Sequence, residues 1–358
     1  MKFQIGRTNL VKIAQAMARY DKQVLKTDIL QLLAEDEYLT LIMTDTERGI
    51  KARVPISNFE HERDLIFITI GTFVSALKEM SKETTLIKTE ENALKISNDD
   101  FEISLPVQNF EPVKFPETKT EFKYDVFAED VIEMIPEVLP AVDKKSTHLA
   151  LQGLAFDCMS NEFNIVGTDS HRLAISNAPG AGDLCKFSIF KDEADVLQRI
   201  LKVIGDEEIS ILIGDTQVVF KTTDLVMIIQ PLNGEYPDYS SVMPEKFISK
   251  ALIDKKQLAG ALKRITSVEK NTPVKFDFRD NVLELSIDSA TFQMHESLDI
   301  NYEGELINLK YNSKLFVDGL KQIDTDLVEF KLSGLMSAAL MTPEGDDYFK
   351  YLIMPTFD

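Results

Sequence analysis

An apolar pattern at i, i+3, i+4 and i+7 recurs six times along this chain of 358 residues, with starts 58–66 residues apart. Residues so spaced share one face of a helix. The copies are Leu10, Ile13, Ala14 and Met17, then Phe73, Ala76, Leu77 and Met80, then Val131, Met134, Ile135 and Val138. They continue as Leu197, Ile200, Leu201 and Ile204, then Leu258, Ala261, Leu262 and Ile265, and end with Phe316, Gly319, Leu320 and Ile323. Short strand-like runs precede the helices, as at Lys2–Ile5, Leu65–Ile70, Phe122–Val126, Lys186–Phe190 and Leu306–Lys310. Alternating runs follow them. Val274–Phe278 and Val282–Ile287 flank Arg279-Asp280-Asn281, the pattern of a hairpin. The repeating unit is a strand, a helix and about three further strands. The fold class is therefore α+β, with helices extending over 9–20, 72–83, 129–139, 192–204, 255–267 and 313–324.

The units pair. Every second one ends in a strand followed by proline, at Ile103-Ser104-Leu105-Pro106, Ile228-Ile229-Gln230-Pro231 and Leu352-Ile353-Met354-Pro355. Proline-containing connections at Phe110–Lys119 and Pro237–Lys246 separate the pairs. Three domains follow, 1–118, 119–245 and 246–358.

The chain carries 44% apolar and 27% charged residues, enough for sizeable cores in a soluble protein. Its two cysteines, Cys158 and Cys185, cannot make a disulfide framework. Neither a signal-peptide core nor a membrane-length apolar run is present, so a cytoplasmic location is expected. The formal net charge is -20, which would repel phosphate unless the positive charge is gathered in one place. It is partly gathered. Lys255, Lys256, Lys263 and Arg264 make the fifth helix basic, and Lys12 and Arg19 do the same for the first. The third, with Glu129, Asp130, Glu133 and Glu137, is strongly acidic. Almost all the excess acid falls outside the helices, the arrangement expected if helices face a phosphate backbone. A solvated helix face is the plainer account of any one of these cations.

Gly167-Thr168-Asp169-Ser170-His171-Arg172-Leu173-Ala174 resembles the TDGHRLA motif of the bacterial DNA polymerase III beta subunit, the sliding clamp. Gly234-Glu235-Tyr236-Pro237-Asp238-Tyr239 is similar to that family's G-x-[FY]-P-D-Y segment, and Tyr351–Pro355 to its Y-[VL]-[VI]-M-P ending. Tyr311-Asn312-Ser313-Lys314-Leu315 with Asp318-Gly319-Leu320 is similar to its helix entry, and Met1-Lys2-Phe3 and Thr44-Asp45 also fit. The motifs occur in order along the chain.

The resemblance implies a three-domain DNA clamp fold built of six half-domain repeats, with helices lining a ring and sheets outside. Two chains are needed: six helices each about 10–12 Å wide line only about 60–70 Å. It implies a homodimer around double-stranded DNA without sequence preference, contacted by Lys12, Arg19, Lys263 and Arg264, with Lys145, Lys191 and Lys202 as further contacts. It implies a dimer contact through the strand Phe101–Leu105, including Ile103, and the region Ile265–Val274, including Val268. A peptide pocket for the polymerase catalytic subunit, the clamp loader and other proteins with Q-x-x-L-F-like segments would be lined by Leu151, Thr168, His171, Arg172, Leu173, Pro237, Val242, Leu352, Met354 and Pro355, with Met336 and Ala338 beside them. Branched aliphatics and a pliable methionine suit Leu and Phe anchors, and Thr168 would hold polar peptide groups. Core packing is the alternative account of Leu151, Leu173, Val242 and Leu352.

The sequence departs from the family at four points. Ser170 replaces the motif glycine, Leu25–Asp28 lacks the usual proline, and Lys22 or Lys26 stands where a DNA-contacting arginine is common. The end, Thr356-Phe357-Asp358, is acidic.

Asp169, Ser170 and His171 carry the letters of a hydrolase triad. Neighbouring residues on a strand point to opposite faces, so they cannot form the relay among themselves. There is no G-x-S-x-G elbow, phosphate-binding lysine loop, or metal spacing among His61, His148, His171 and His295. No cofactor or metal is expected, and the chain reads as non-catalytic. The competing reading is a repeat scaffold that binds peptides without encircling DNA.

Overall fold

Each of the six apolar faces marks an α-helix: α1 Arg7–Tyr20, α2 Ile70–Glu79, α3 Ala128–Val138, α4 Lys191–Ile204, α5 Lys255–Val268 and α6 Ser313–Leu320. The structure, a computed structural model, describes all residues except 61–63, 91, 100, 269–271, 289–292 and 358. A strand leads directly into each helix, at Lys2–Gly6, Asp64–Thr69, Phe122–Phe127, Cys185–Phe190, Ser249–Asp254 and Ile307–Asn312. Every patterned residue is buried except Ile204, which is half-buried at the end of α4. Burying each Leu, Ile or Phe of this kind contributes about 1.5–3 kcal/mol. The repeat therefore reports the core directly.

Two helices, α2 and α6, stop four residues short of their expected ends. In α2 the backbone turns extended at Met80. Glu83 then lies outside the helix, where its carboxylate accepts from the Thr8 N–H (3.0 Å) and the Thr8 hydroxyl, beside the start of α1. α6 ends at Leu320, after which Gln322 N–H donates to the Gly319 carbonyl in a tighter turn.

The described residues divide into two compact units. The first comprises 1–133, 158–163 and 179–232. It holds a 13-stranded sheet in which Gly49–Glu60 pairs antiparallel with both Lys2–Gly6 and Leu225–Ile229. Leu225–Ile229 pairs with Gly49–Glu60 there, with Leu225 opposite Ala52, so one sheet joins residues of 1–118 to residues of 119–245. α1 packs on α4 in this unit.

The second unit comprises 134–157, 164–178 and 233–358. Its strands run side by side in the order Arg172–Pro179, Phe349–Ile353, Ala339–Pro343, Leu327–Leu332, Ser249–Asp254 and Asn301–Gly304. A separate four-stranded sheet has the order Gln293–Asp299, Val282–Asp288, Pro273–Arg279, Ile307–Asn312. Its central hairpin is the one expected, with Arg279 opposite Val282 and Asn281 at φ 58°. Phe276, Tyr311, Phe316 and Phe330 fill its core, the Phe276 and Phe316 rings stacked with centroids 4.7 Å apart.

Candidate functional site

The Thr168–Arg172 segment is a turn that holds itself closed. Asp169 Oδ1 accepts the backbone N–H groups of both His171 and Arg172 at 3.0 Å. The Thr168 hydroxyl donates to the Arg172 carbonyl at 2.6 Å and accepts from Ser170 N–H at 3.2 Å. Ser170 sits at φ 72°, a left-handed conformation that favours glycine. Asx and Ser/Thr bonds of this kind are what short polar side chains supply in tight turns. The Asp169 carboxylate is thereby engaged by backbone and by Arg172, and does not orient an imidazole for catalysis.

From the turn, Arg172–Pro179 pairs antiparallel with Phe349–Ile353, placing Arg172 opposite Ile353 and Leu173 opposite Leu352. Met354 N–H continues the ladder to the His171 carbonyl at 2.9 Å. Two motifs nearly 180 residues apart in sequence thus form one surface. Leu173 and Leu352 sink into a buried cluster with Ala155, Val166, Tyr239 and Ala338. Met354 is 40% exposed, Val242 56% and Met336 73%, so these three side chains are open to solvent.

Two cavities in this unit are lined in part by residues of these motifs. One of about 400 Å³ is lined by His148, Leu149, Leu151, Ser170, Glu235 and Pro237, among others. The other, about 240 Å³, is lined by Lys275, Lys310, Leu335, Met336, Pro355 and Phe357, among others. Every residue expected in the peptide pocket lies in the second unit, but only four line these cavities: Leu151 and Pro237 the first, Met336 and Pro355 the second. His148, Asn233 and Glu235 were missed. The Gly234–Pro237 motif could have pointed to its own first residues, whereas His148 borders a short 3-10 turn, Leu149–Gln152, with no periodic signal.

Two of the expected lining residues engage their polar groups within the chain. The Arg172 guanidinium has four partners. Nε donates to Asp169 at 2.9 Å, Nη1 to Asp318 at 2.9 Å and Tyr351 at 3.2 Å, and Nη2 to the Pro140 carbonyl at 2.5 Å. Burial works against its charge, but Tyr351, Asp318 and Asp169 hold it firmly protonated. The Thr168 hydroxyl likewise gives its proton to the turn, not to a peptide. His171 remains exposed.

The cations expected to meet DNA differ in what surrounds them. Lys12, Arg19, Lys191 and Lys202 belong to the first unit, and Lys145, Lys263 and Arg264 to the second. Arg19 pairs with Asp195 at 3.0 Å, and Arg264 pairs with Glu296. Lys12, Lys145, Lys202 and Lys263 are exposed, as are Lys22 and Lys26 after α1.

For the dimer, Phe101 is 42% exposed and Ile103 half-buried on Phe101–Pro106, the terminal strand of its sheet. A terminal strand presents unpaired N–H and C=O groups. Ile265 is corrected. It is fully buried in its own chain, because it belongs to the apolar face of α5 that turns to the core. Val268 ends α5, and its side chain lies outside the described residues, as do 269–271. The strand Gln293–Asp299, missed in the sequence, is a terminal strand of the four-stranded sheet. At that sheet's other end, Thr356 N–H from the C-terminal segment donates to the Lys310 carbonyl at 2.8 Å.

Among the described residues, no group of three or more His, Cys, Asp or Glu side chains could hold a metal. No described helix is long and apolar enough to cross a membrane.

The chain is 28% identical over 345 residues to the beta sliding clamp of Staphylococcus aureus, covering 90% of this chain and 89% of that protein. Its fold is similar to the DNA polymerase III beta subunit of Thermotoga maritima, with TM-score 0.89, 22% identity, and 100% and 99% of the two chains covered. It is equally close in fold to the Pseudomonas aeruginosa sliding clamp bound to griselimycin, with TM-score 0.88, 22% identity and 100% of both chains covered. The family model for the DNA polymerase III beta subunit central domain matches residues 125–238, and that for its C-terminal domain matches 240–357. Together these matches cover well over half of the sequence, and the chain belongs to the DNA polymerase III beta subunit family.

Proposed function

We propose that this protein is a replication processivity factor, a sliding clamp that closes as a homodimeric ring around duplex DNA and tethers a replicative polymerase. Family membership across residues 125–357 is the observation that carries this reading. The chain would be built of three domains, 1–118, 119–245 and 246–358; the two matched family domains meet at residues 238–240. The six helices would line the hole, with the sheets outside. The chain itself is non-catalytic and acts in the cytoplasm, where its DNA and its partners are.

Partner proteins would insert Q-x-x-L-F-like segments at the His171–Met354 junction. Met354, Val242 and Met336 supply exposed apolar contacts there, and Leu151 and Pro237 line the adjoining cavity. Lysines of the helices would neutralise phosphates without reading bases. The strands Phe101–Pro106 and Gln293–Asp299 offer the two open edges through which two copies could pair. A scaffold that never encloses DNA is not favoured, because the whole chain is matched by clamps.

Primer extension on a long single-stranded circle tests the reading. With the cognate clamp loader and polymerase, adding the protein lengthens products per binding event, and excess Q-L-x-L-F peptide abolishes the gain. Unchanged product length with active partners would contradict it.

A further inference from the structure

A groove of about 700 Å³ runs between α5 and α6. Ala259, Val317 and Leu320 contribute apolar surface to it, and Lys263, Lys314 and Lys321 line it with exposed ammonium-bearing side chains. Two further lysines at its end are engaged within the chain. Lys255 Nζ donates to the Ile323 carbonyl at 2.5 Å, beyond the C-terminal end of α6, and Lys256 pairs with Asp326 at 3.0 Å. Among the described residues, Asp318 is the one carboxylate lining the groove. Its Oδ2 lies 2.9 Å from Arg172 Nη1. Asp318 is therefore bound to a residue of the turn that borders the peptide cavity, not to any groove lysine.

We propose that Arg172 is a positioning residue for two sites at once: it fixes the Thr168–Arg172 turn, and by engaging Asp318 it keeps the α5–α6 groove cationic enough to take the phosphate backbone of duplex DNA. The proposal rests on the sliding-clamp reading. The electrostatics is simple. Arg172 with Asp169 and Asp318 forms a triad of net charge −1. Removing the guanidinium leaves two adjacent carboxylates, one of them facing the lysines that attract phosphate. Removing the Asp318 charge instead makes the triad neutral and the groove more positive. The first unit offers a contrast, because Arg19 and Arg199 both contact Asp195, at 3.0 and 3.1 Å, and there the acid is held by cations of the helices themselves.

The test uses the full chain and four proteins: wild type, Arg172→Gln, Asp318→Asn and the double variant. Each is titrated with a labelled 30-base-pair duplex at several salt concentrations and, separately, with a labelled Q-L-x-L-F peptide. One charge near a solvated groove changes phosphate affinity by about two- to fourfold at low salt, and less as salt screens it. Asp318→Asn tightens duplex binding by that factor, Arg172→Gln weakens it, and the double variant returns to near wild type. Peptide binding falls in both proteins that lack Arg172 and is not restored by Asp318→Asn, because the turn has lost its tie. Unchanged duplex affinity in Asp318→Asn, or no recovery in the double variant, would overturn the proposal. A wild-type protein that binds no duplex at low salt would sink the clamp reading itself. If Arg172→Gln fails to fold, Asp318→Asn still decides the matter.

Discussion

Met354 donates its backbone N–H to the carbonyl of His171 at 2.9 Å, so the chain's last strand is registered against its central turn. Leu173 and Leu352 face each other two residues further along the same ladder. Their positions separate two effects that mutation of a pocket usually confounds. Leu173 is buried in the cluster, whereas Met354 is 40% exposed. Leu173→Ala is expected to cost about 2–4 kcal/mol of stability by leaving a cavity. Met354→Ala is expected to cost less than about 1 kcal/mol and to weaken peptide binding about tenfold or more. Urea unfolding paired with peptide anisotropy checks both, and comparable stability loss in the two variants would contradict this partition.

How far the sequence anticipated this site depended on the kind of signal each residue carries. Helix faces were legible because a 3.6-residue period repeats a burial decision many times, as Leu10, Ile13, Ala14 and Met17 show. Pocket walls carry no period. Leu151 and Pro237 came from motifs, while His148 was not found because a single polar residue beside a short turn leaves no pattern. The surroundings of Arg172 were not legible, since sequence cannot reveal that Asp169, Asp318, Tyr351 and the Pro140 carbonyl converge on one guanidinium. Ile265 shows an error, a core position offered as a surface one.

Ser170 holds a backbone conformation at φ 72° that costs an L-residue more than glycine. Ser170→Gly is expected to stabilise the protein by up to about 1 kcal/mol, the relieved strain being partly offset by a more flexible unfolded chain. Thermal unfolding at fixed pH measures this. A lower melting temperature would show that the serine contributes more to the turn than its strain removes.

Gly319 occupies an apolar position of α6 because Tyr351 leaves no room for more. A Cβ built there would lie 2.6 Å from the Tyr351 ring and 2.9 Å from the Met341 methyl. Alanine ordinarily favours a helix over glycine. Here Gly319→Ala is expected to destabilise by about 1–3 kcal/mol through overpacking. Denaturant titration checks the sign, and a stabilised variant would refute the close approach.

Glu193 is buried where α4 begins, beneath α1. Its carboxylate accepts two long hydrogen bonds, at 3.3 Å from Phe190 N–H and 3.5 Å from the Tyr20 hydroxyl. Burial pushes its pKa up to about 7 from an ordinary value of 4.5, against the opposing pull of the Phe190 N–H and Arg48, with Asp192 adding a smaller push. Because the folded value lies above the unfolded one, the neutral acid favours the fold. That contribution is complete below about pH 4.5 and is lost as pH rises through about 7. The loss approaches about 3 kcal/mol at high pH. Glu193→Gln is expected to flatten stability between pH 5 and 8, measured by urea unfolding at each pH, and an unchanged slope would contradict the assignment.

The central claim is topological: two copies enclose duplex DNA. The most direct measurement loads labelled protein onto a nicked circular plasmid with the cognate loader, isolates the complex by gel filtration in high salt, and then linearises half of the sample. The account predicts retention on the circle and release from the linear form, because a ring slides off an end. Equal retention on both forms, or none on the circle despite active loading, would contradict it.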